Sequence, residues 1–115
     1  MKIIQYIFIL AAIFTLPTLS NAQNKVVKDT IIVEGVCGMC KTRIEEAAFG
    51  KGVKFAEWTN TTGELVLAYR SDKTSLSEIE ARITKAGHTT ENKQAEQDDY
   101  KSLPNCCRYE EQHKH

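Results

Sequence analysis

Apolar residues run almost unbroken from Ile3 to Leu16, interrupted mainly by Gln5, and Pro17 closes the run. Further along, the pattern becomes periodic. Lys25 to Glu34 is rich in β-branched residues and reads as a first strand, ended by Gly35. From Cys40, the residues Ile44, Ala47 and Ala48 recur at helical spacing, and Gly50 and Gly52 stop that helix. Val53 to Thr59 reads as a second strand with Val53, Phe55, Ala56 and Trp58 as its apolar positions. Asn60-Thr61-Thr62-Gly63 reads as a turn. In Glu64 to Tyr69 the apolar positions Leu65, Leu67 and Tyr69 share one face and Val66 and Ala68 the other, so strands two and three form a hairpin. Ser75-Leu76-Ser77-Glu78 has the form of a capping box. Leu76, Ile79, Ile83 and Ala86 then mark one face of a second helix, which Gly87 ends. His88 to Glu91 completes the order as a short fourth strand. Strand, helix, strand, strand, helix, strand is the ferredoxin-like βαββαβ pattern, an α+β fold with an antiparallel four-stranded sheet and two helices on one face.

Beyond Glu91 the periodicity is lost. Asn92 to Asp99 is polar and charged and reads as a linker or frayed helix. Tyr100 to Tyr109 regains apolar and sulfur residues, and the chain ends on Glu-Glu-Gln-His-Lys-His. The expected organisation is a leader at 1–22, a folded domain at 23–91, and a polar linker with a Cys/His-containing tail at 92–115.

The leader reading rests on Lys2, the apolar run, and Ser20-Asn21-Ala22, small residues of the kind a signal peptidase reads, with cleavage expected after Ala22. The run is shorter than the roughly 20 residues a spanning helix needs, which disfavours an uncleaved anchor. The expected product is periplasmic or secreted, with no stable membrane insertion after cleavage. Without Lys2, 14 basic side chains face 15 acidic ones. That balance supplies no concentrated basic surface and argues against a nucleic-acid partner. Asn60-Thr61-Thr62 also matches the N-glycosylation acceptor pattern, relevant only in a glycosylating host.

Four cysteines remain: Cys37, Cys40, Cys106 and Cys107. One pair is C-x-x-C and the other is vicinal. Either local pairing closes a tiny loop that would stabilise the fold weakly, so chemistry explains these residues better than stapling. Cys37 and Cys40 sit between the first strand and the first helix, with Gly38 expected to let the loop turn tightly. Cys40 falls in the first helical turn, where free N–H groups favour a thiolate. Two thiolates on one turn suit a soft ion. Copper(I) fits best, because two thiolates can satisfy it, whereas zinc normally takes four ligands. Mercury(II), silver(I), cadmium(II) and zinc(II) also bind thiolates.

The strand order, the C-x-x-C in the first loop and the glycine closing the second helix resemble the heavy-metal-associated domain family. That family includes copper chaperones, modules of copper-transporting ATPases and periplasmic mercury-binding proteins. The resemblance covers Lys25 to Glu91. It implies that Cys37 and Cys40 bind the metal on an exposed loop, and that a partner such as a metal-transporting ATPase or another periplasmic metal carrier takes the ion by ligand exchange. Two departures stand out. The family usually reads Gly-Met-x-Cys-x-x-Cys, where this chain has Gly35-Val36-Cys37 and places Met39 between the cysteines. It also has His88 where the family commonly carries Tyr, Phe or a Lys-bearing segment. In that fold the His88 loop lies near the metal loop, so His88 is a candidate third ligand.

The tail adds Cys106, Cys107, His113 and His115. These could complete a second site, fold back to cap the first, or form a vicinal disulfide. A four-thiolate zinc module would need ligands much farther apart than usual ribbon spacings. The main rival reading is a thiol–disulfide redox protein using the same C-x-x-C. However, thioredoxin-like proteins are longer and set a proline beside the active cysteines, and the prolines here are Pro17 and Pro104. No Ser-His-Asp set, paired carboxylates or phosphate loop points to an enzyme.

Overall fold

The computed structural model describes residues 25–112. The leader expected at 1–22, and His113 and His115, lie outside the described residues. Among the described residues 25–112 no helix is long and apolar enough to cross a membrane.

Three strands form one antiparallel sheet: β1 (Val26–Ile32), β2 (Val53–Trp58) and β3 (Glu64–Arg70), in the order β1-β3-β2. Helices α1 (Gly38–Ala48) and α2 (Leu76–Lys85) carry the other half of the core. The alternation in β3 works as the pattern predicts. Leu65, Leu67 and Tyr69 are buried, as are Ile44 and Ala48 of α1 and Ile79 and Ile83 of α2. Ile31 and Val33 join them from the first strand and the residue after it. In β2 the register slips between Val53 and Phe55. The irregularity leaves Val53 inside and puts Phe55 out in solvent, so an expected apolar position is 46% exposed.

The two helices tie each other down. Arg82 of α2 donates to the carbonyls of Ala47 and Ala48 at the end of α1, at 3.2 and 2.8 Å. Arg43 of α1 donates to Ala86 O at the end of α2, at 3.2 Å. Each arginine satisfies carbonyls that a helix terminus leaves open and places a cation at the negative end of the dipole. Ser75 caps α2, its Oγ accepting from Glu78 N at 3.1 Å. The reciprocal half of the expected box is replaced, since Glu78 Oε2 accepts from Thr74 Oγ1 at 2.9 Å instead.

The sheet has three strands, not four. The expected fourth strand, His88 to Glu91, contributes a single bridge, Val33 to Thr90, flanked by Glu34 N to Thr89 O and Glu91 N to Ile32 O, each at 2.9 Å. Thr90 explains why pairing stops there. Its N–H goes to Lys93 O at 2.8 Å, its Oγ1 accepts from Lys93 N at 3.0 Å, and the same hydroxyl donates to the buried Glu80 carboxylate at 2.6 Å. Those bonds turn the backbone away from the sheet.

The turn leads into a tail that packs rather than dangles. Ala95 is buried, and the stretch expected as linker becomes helical at α3 (Gln97–Lys101). A 3₁₀ turn (Asn105–Cys107) and the short α4 (Tyr109–Gln112) follow. Tyr100, Leu103, Cys107 and Tyr109 enter the same hydrophobic core as the sheet and helices. Arg108 holds the tail's shape, donating to Leu103 O at 3.3 Å and Lys101 O at 3.0 Å. Gly87 makes room for this layer. It closes α2 at φ +107. Its N–H bonds Thr84 O, and His88 N–H bonds Ile83 O, the pair of bonds that ends a helix through a left-handed residue. A Cβ at Gly87 would lie 2.7 Å from Asp99 O and 2.8 Å from Leu103 Cγ.

Candidate metal centre

The helix bearing the cysteines starts earlier than its apolar pattern suggests. Cys37 is the N-cap and Cys40 the third helical residue. Gly38 has no positive φ, and a Cβ there would meet nothing within 4 Å, so the turn does not depend on glycine at that position. Gly35 is the constrained one. A side chain there would run into the Trp58 ring at 3.0 Å and Cys40 Cβ at 3.1 Å. Trp58 is itself pinned under the loop, its indole N–H shared between Val33 O at 3.0 Å and Gly63 O at 3.1 Å. From the other side, Lys41 and Glu45 of α1 clasp the backbone of Trp58. Lys41 Nζ donates to its carbonyl at 2.9 Å, and Glu45 Oε2 accepts from its N–H at 2.8 Å. Val36, standing where the resembled family has Met, is partly buried against the same core.

This scaffold sets the Cys37 and Cys40 sulfurs 3.6 Å apart. Cys40 is fully buried, and Cys37 is half-buried at the rim. The tail supplies a third sulfur. Cys107 is buried, and the Sγ atoms of Cys37, Cys40 and Cys107 all lie within 4.8 Å of one another. The turn is held over the loop by the Cys37 thiol, which donates to Cys106 O at 3.7 Å. With metal–sulfur bonds of about 2.3 Å, two sulfurs on one ion stand roughly 4.6 Å apart if linear and roughly 4.0 Å if trigonal. A pair at 3.6 Å with a third thiol beside it is closer to trigonal than to linear.

The electrostatics differ across the cluster. Burial works to raise the Cys37 thiol, but the backbone N–H groups of Cys40 and Met39 at the helix start, with the Cys40 and Cys106 thiols, outweigh it and hold Cys37 below the ordinary thiol value. Burial pushes the Cys107 thiol up, and its Cys40 and Cys106 neighbours add to that.

Cys106 is exposed and stands outside the three-sulfur group. Its Sγ lies 3.5 Å from Met39 Sδ and 4.0 Å from Cys107 Sγ. His88 is outside the group too, and it is buried rather than at the surface. Its Nδ1 faces Glu34 O at 2.7 Å, and its ring stacks on Tyr109 with centroids 5.9 Å apart. A carbonyl partner makes Nδ1 the donor and leaves Nε2 without a proton, and Nε2 has no hydrogen-bond partner. Burial lowers the His88 pKa, so the ring is neutral. His88 thus links the strand leading to the cysteine loop with the tail. Tyr109 extends that link, its hydroxyl donating to Gly87 O at 3.0 Å and accepting from Thr89 N at 3.1 Å. Tyr100 meets the Tyr109 ring edge-on at 4.9 Å. Sequence reasoning passed over Tyr109 and Leu103 as anchors, and the one available signal was the return of apolar residues after the polar stretch.

Two solved structures match this arrangement of elements. The fold is that of solved copper proteins. A CopZ metallochaperone aligns with a TM-score of 0.53 at 27% identity, covering 56% of this chain and 98% of that one. The solution structure of a candidate copper-ion-binding protein from Bacillus anthracis str. Ames aligns with a TM-score of 0.55 at 26% identity, covering 60% of this chain and 100% of that one. Both neighbours are shorter than this chain and leave about two-fifths of it unmatched. No protein-family model and no curated protein matches the sequence.

Proposed function

We propose that this protein is an exported carrier of a soft metal ion, copper(I) in the first instance, held by Cys37, Cys40 and Cys107 and passed to a thiol-bearing partner. The observation that carries the reading is the convergence of three thiols at a helix N-terminus, one of them delivered by the folded-back tail. Cys37 and Cys40 are the loop ligands. Cys107 closes the trigonal set from above. The ion is cargo, moved by ligand exchange in which an incoming thiolate replaces one of the three, and no bond in an organic substrate is made or broken. The half-buried Cys37, held below the ordinary thiol value, is the sulfur a partner reaches first. A metal-transporting ATPase or another periplasmic metal carrier presents the required thiols. The leader pattern at 1–22 supports export, and silver(I), mercury(II), cadmium(II) and zinc(II) are the competing cargoes.

The test is a copper(I) competition titration against a chromophoric chelator, with reduced protein. Structural metal sites are worth about 10–16 kcal/mol over four ligands, roughly 3 kcal/mol each, so one lost thiolate costs on the order of a hundredfold in affinity. Cys107→Ser should show a loss of that order and Cys37→Ser/Cys40→Ser a much larger one. Full affinity in the double variant would end the carrier reading. The redox alternative uses the same Cys37 and Cys40 at 3.6 Å. It requires turnover of a disulfide substrate without metal, which the carrier reading expects to be absent.

A further inference from the structure

We propose that Met39 and Cys106 form an outer soft-metal port, through which the ion enters by way of Cys107. The proposal rests on the three-thiol site above as the destination. Its own support is a second sulfur pair that the destination does not use. Met39 Sδ and Cys106 Sγ stand 3.5 Å apart at the protein surface, with Met39 52% exposed. Cys106 Sγ is 4.0 Å from Cys107 Sγ, which in turn lies within 4.8 Å of both Cys37 and Cys40. Five sulfurs therefore run from solvent to the buried Cys40, each within 4.8 Å of the next, close to the span of one shared ion. That span is about 3.8 to 4.6 Å between two sulfurs at metal–sulfur distances of about 2.3 Å. The outer pair needs to open by only a few tenths of an ångström, which the rotatable Met39 side chain readily supplies.

The two donors have the character of a transit site. A thioether is a neutral, weak ligand, and an exposed thiol is easily displaced. Entry is a sequence of ligand exchanges. A copper(I) ion arriving on an external thiol or chelator gains bonds to Met39 Sδ and Cys106 Sγ, as Cys106 gives its proton to solvent and the external ligand leaves with its electron pair. Cys107 then bonds the ion, losing its proton, and Met39 departs. Cys37 and Cys40 complete the set as Cys106 leaves, one of the two thiols passing its proton to the departing Cys106 and the other releasing its proton to solvent. The ion stays singly charged throughout and no electron moves.

Methionine makes the port directly observable, because Met39 is the one Met besides Met1. Reduced protein carrying methyl-labelled methionine is titrated with silver(I) as a redox-inert probe. The first equivalent should fill the inner site and leave the Met39 methyl signal in place. The second should shift it, and Cys106→Ser should abolish that shift while keeping first-equivalent affinity within about twofold. Uptake of copper(I) from a chelator, followed by stopped flow, should slow at least tenfold in Met39→Leu and in Cys106→Ser. A methyl signal unmoved through two equivalents overturns the proposal, as does one that moves fully with the first equivalent, or uptake rates unchanged in both variants. Failure of the destination itself reads separately, as retained first-equivalent affinity in Cys37→Ser/Cys40→Ser.

Discussion

Replacing Tyr109 by Phe removes one oxygen from the tail and almost nothing of its shape. The ring keeps its contacts with His88 and Tyr100, while Gly87 O loses its donor, Thr89 N–H loses its acceptor and Thr89 Oγ1 loses its 3.1 Å hydroxyl partner. Leaving a buried polar group unsatisfied costs about 1–3 kcal/mol. Thr89 Oγ1 keeps the Ala95 N–H, so two groups are left unsatisfied, and with some relief from solvent and the retained ring packing a loss of about 2 kcal/mol in tail docking is expected. At 1.4 kcal/mol per tenfold, that raises the undocked population about 30-fold. The readout is Cys107, which is fully buried when the tail is docked and must wait for local opening to react. In reduced, metal-free protein, Cys107 should be alkylated about 30 times faster in Tyr109→Phe than in the wild type. The exposed Cys106 should react at the same rate in both and so serves as the internal control. Mass spectrometry of the fragmented peptide separates the adjacent residues. If Cys107 in the wild type reacts as fast as Cys106, or if the substitution leaves the Cys107 rate alone, the tail does not shelter the third thiol and the argument fails.

Three further outcomes are expected. Gly38→Ala should stabilise the fold by about 0.5–1 kcal/mol in urea titrations and leave metal affinity within about twofold, since its backbone φ is ordinary and the new methyl meets nothing. A large affinity loss there would mean that the loop does need glycine. Gly87→Ala should cost at least about 2 kcal/mol through the left-handed backbone and the clash with Asp99 O and Leu103, and should also speed Cys107 alkylation. Stability lost with Cys107 still protected would separate the helix stop from the tail. Burial and the hydrogen bond to Asp29 at 2.6 Å push the Tyr69 phenol up to about 12. A folded value above the ordinary 10 means stability that is intact below about pH 10 and is lost as pH rises toward 12, by about 2 kcal/mol at roughly 1.36 kcal/mol per unit. Alkaline urea titrations should show that loss in the wild type and a flatter curve in Tyr69→Phe; parallel curves would refute the assignment.

Much of this molecule is readable from local pattern. Leu65, Leu67 and Tyr69 alternate because β3 is the central strand with one face on the core, and Ile79 and Ile83 recur because α2 lies on that core. The Cys37 and Cys40 pair was legible for the same reason, being local spacing at a strand-to-helix junction. What escaped depended on contacts between segments distant in sequence. The fourth strand looked adequate, but Thr90 bonds Lys93 and Glu80 instead of continuing the ladder. The return of apolar and sulfur residues from Tyr100 to Tyr109 left open whether the tail folds back onto the first site. Tyr100, Leu103 and Cys107 fall at helical spacings of three and four, but Pro104 interrupts the run, and the Tyr109 partners Gly87, His88 and Thr89 come within reach only once the chain is folded. His88 drew attention as a ligand through its position in the fold, and the chain packs it between Glu34 O and the Tyr109 ring, outside the three-sulfur group.

If the chain carries an ion as proposed, the folded-back tail also bears on who can take it. Cys107 sits beside Cys37 and Cys40 through the packing of its own chain, so it reaches the ion at an effective concentration no free thiol in solution matches. Abundant small thiols arriving one at a time must displace a resident competitor that returns faster than they do. A protein that offers two thiols at once, or that peels the tail away as it docks, escapes that contest. On the carrier reading the tail acts as a toll on opportunistic exchange, and whatever loosens Leu103 or Tyr109 sets how readily the cargo is surrendered.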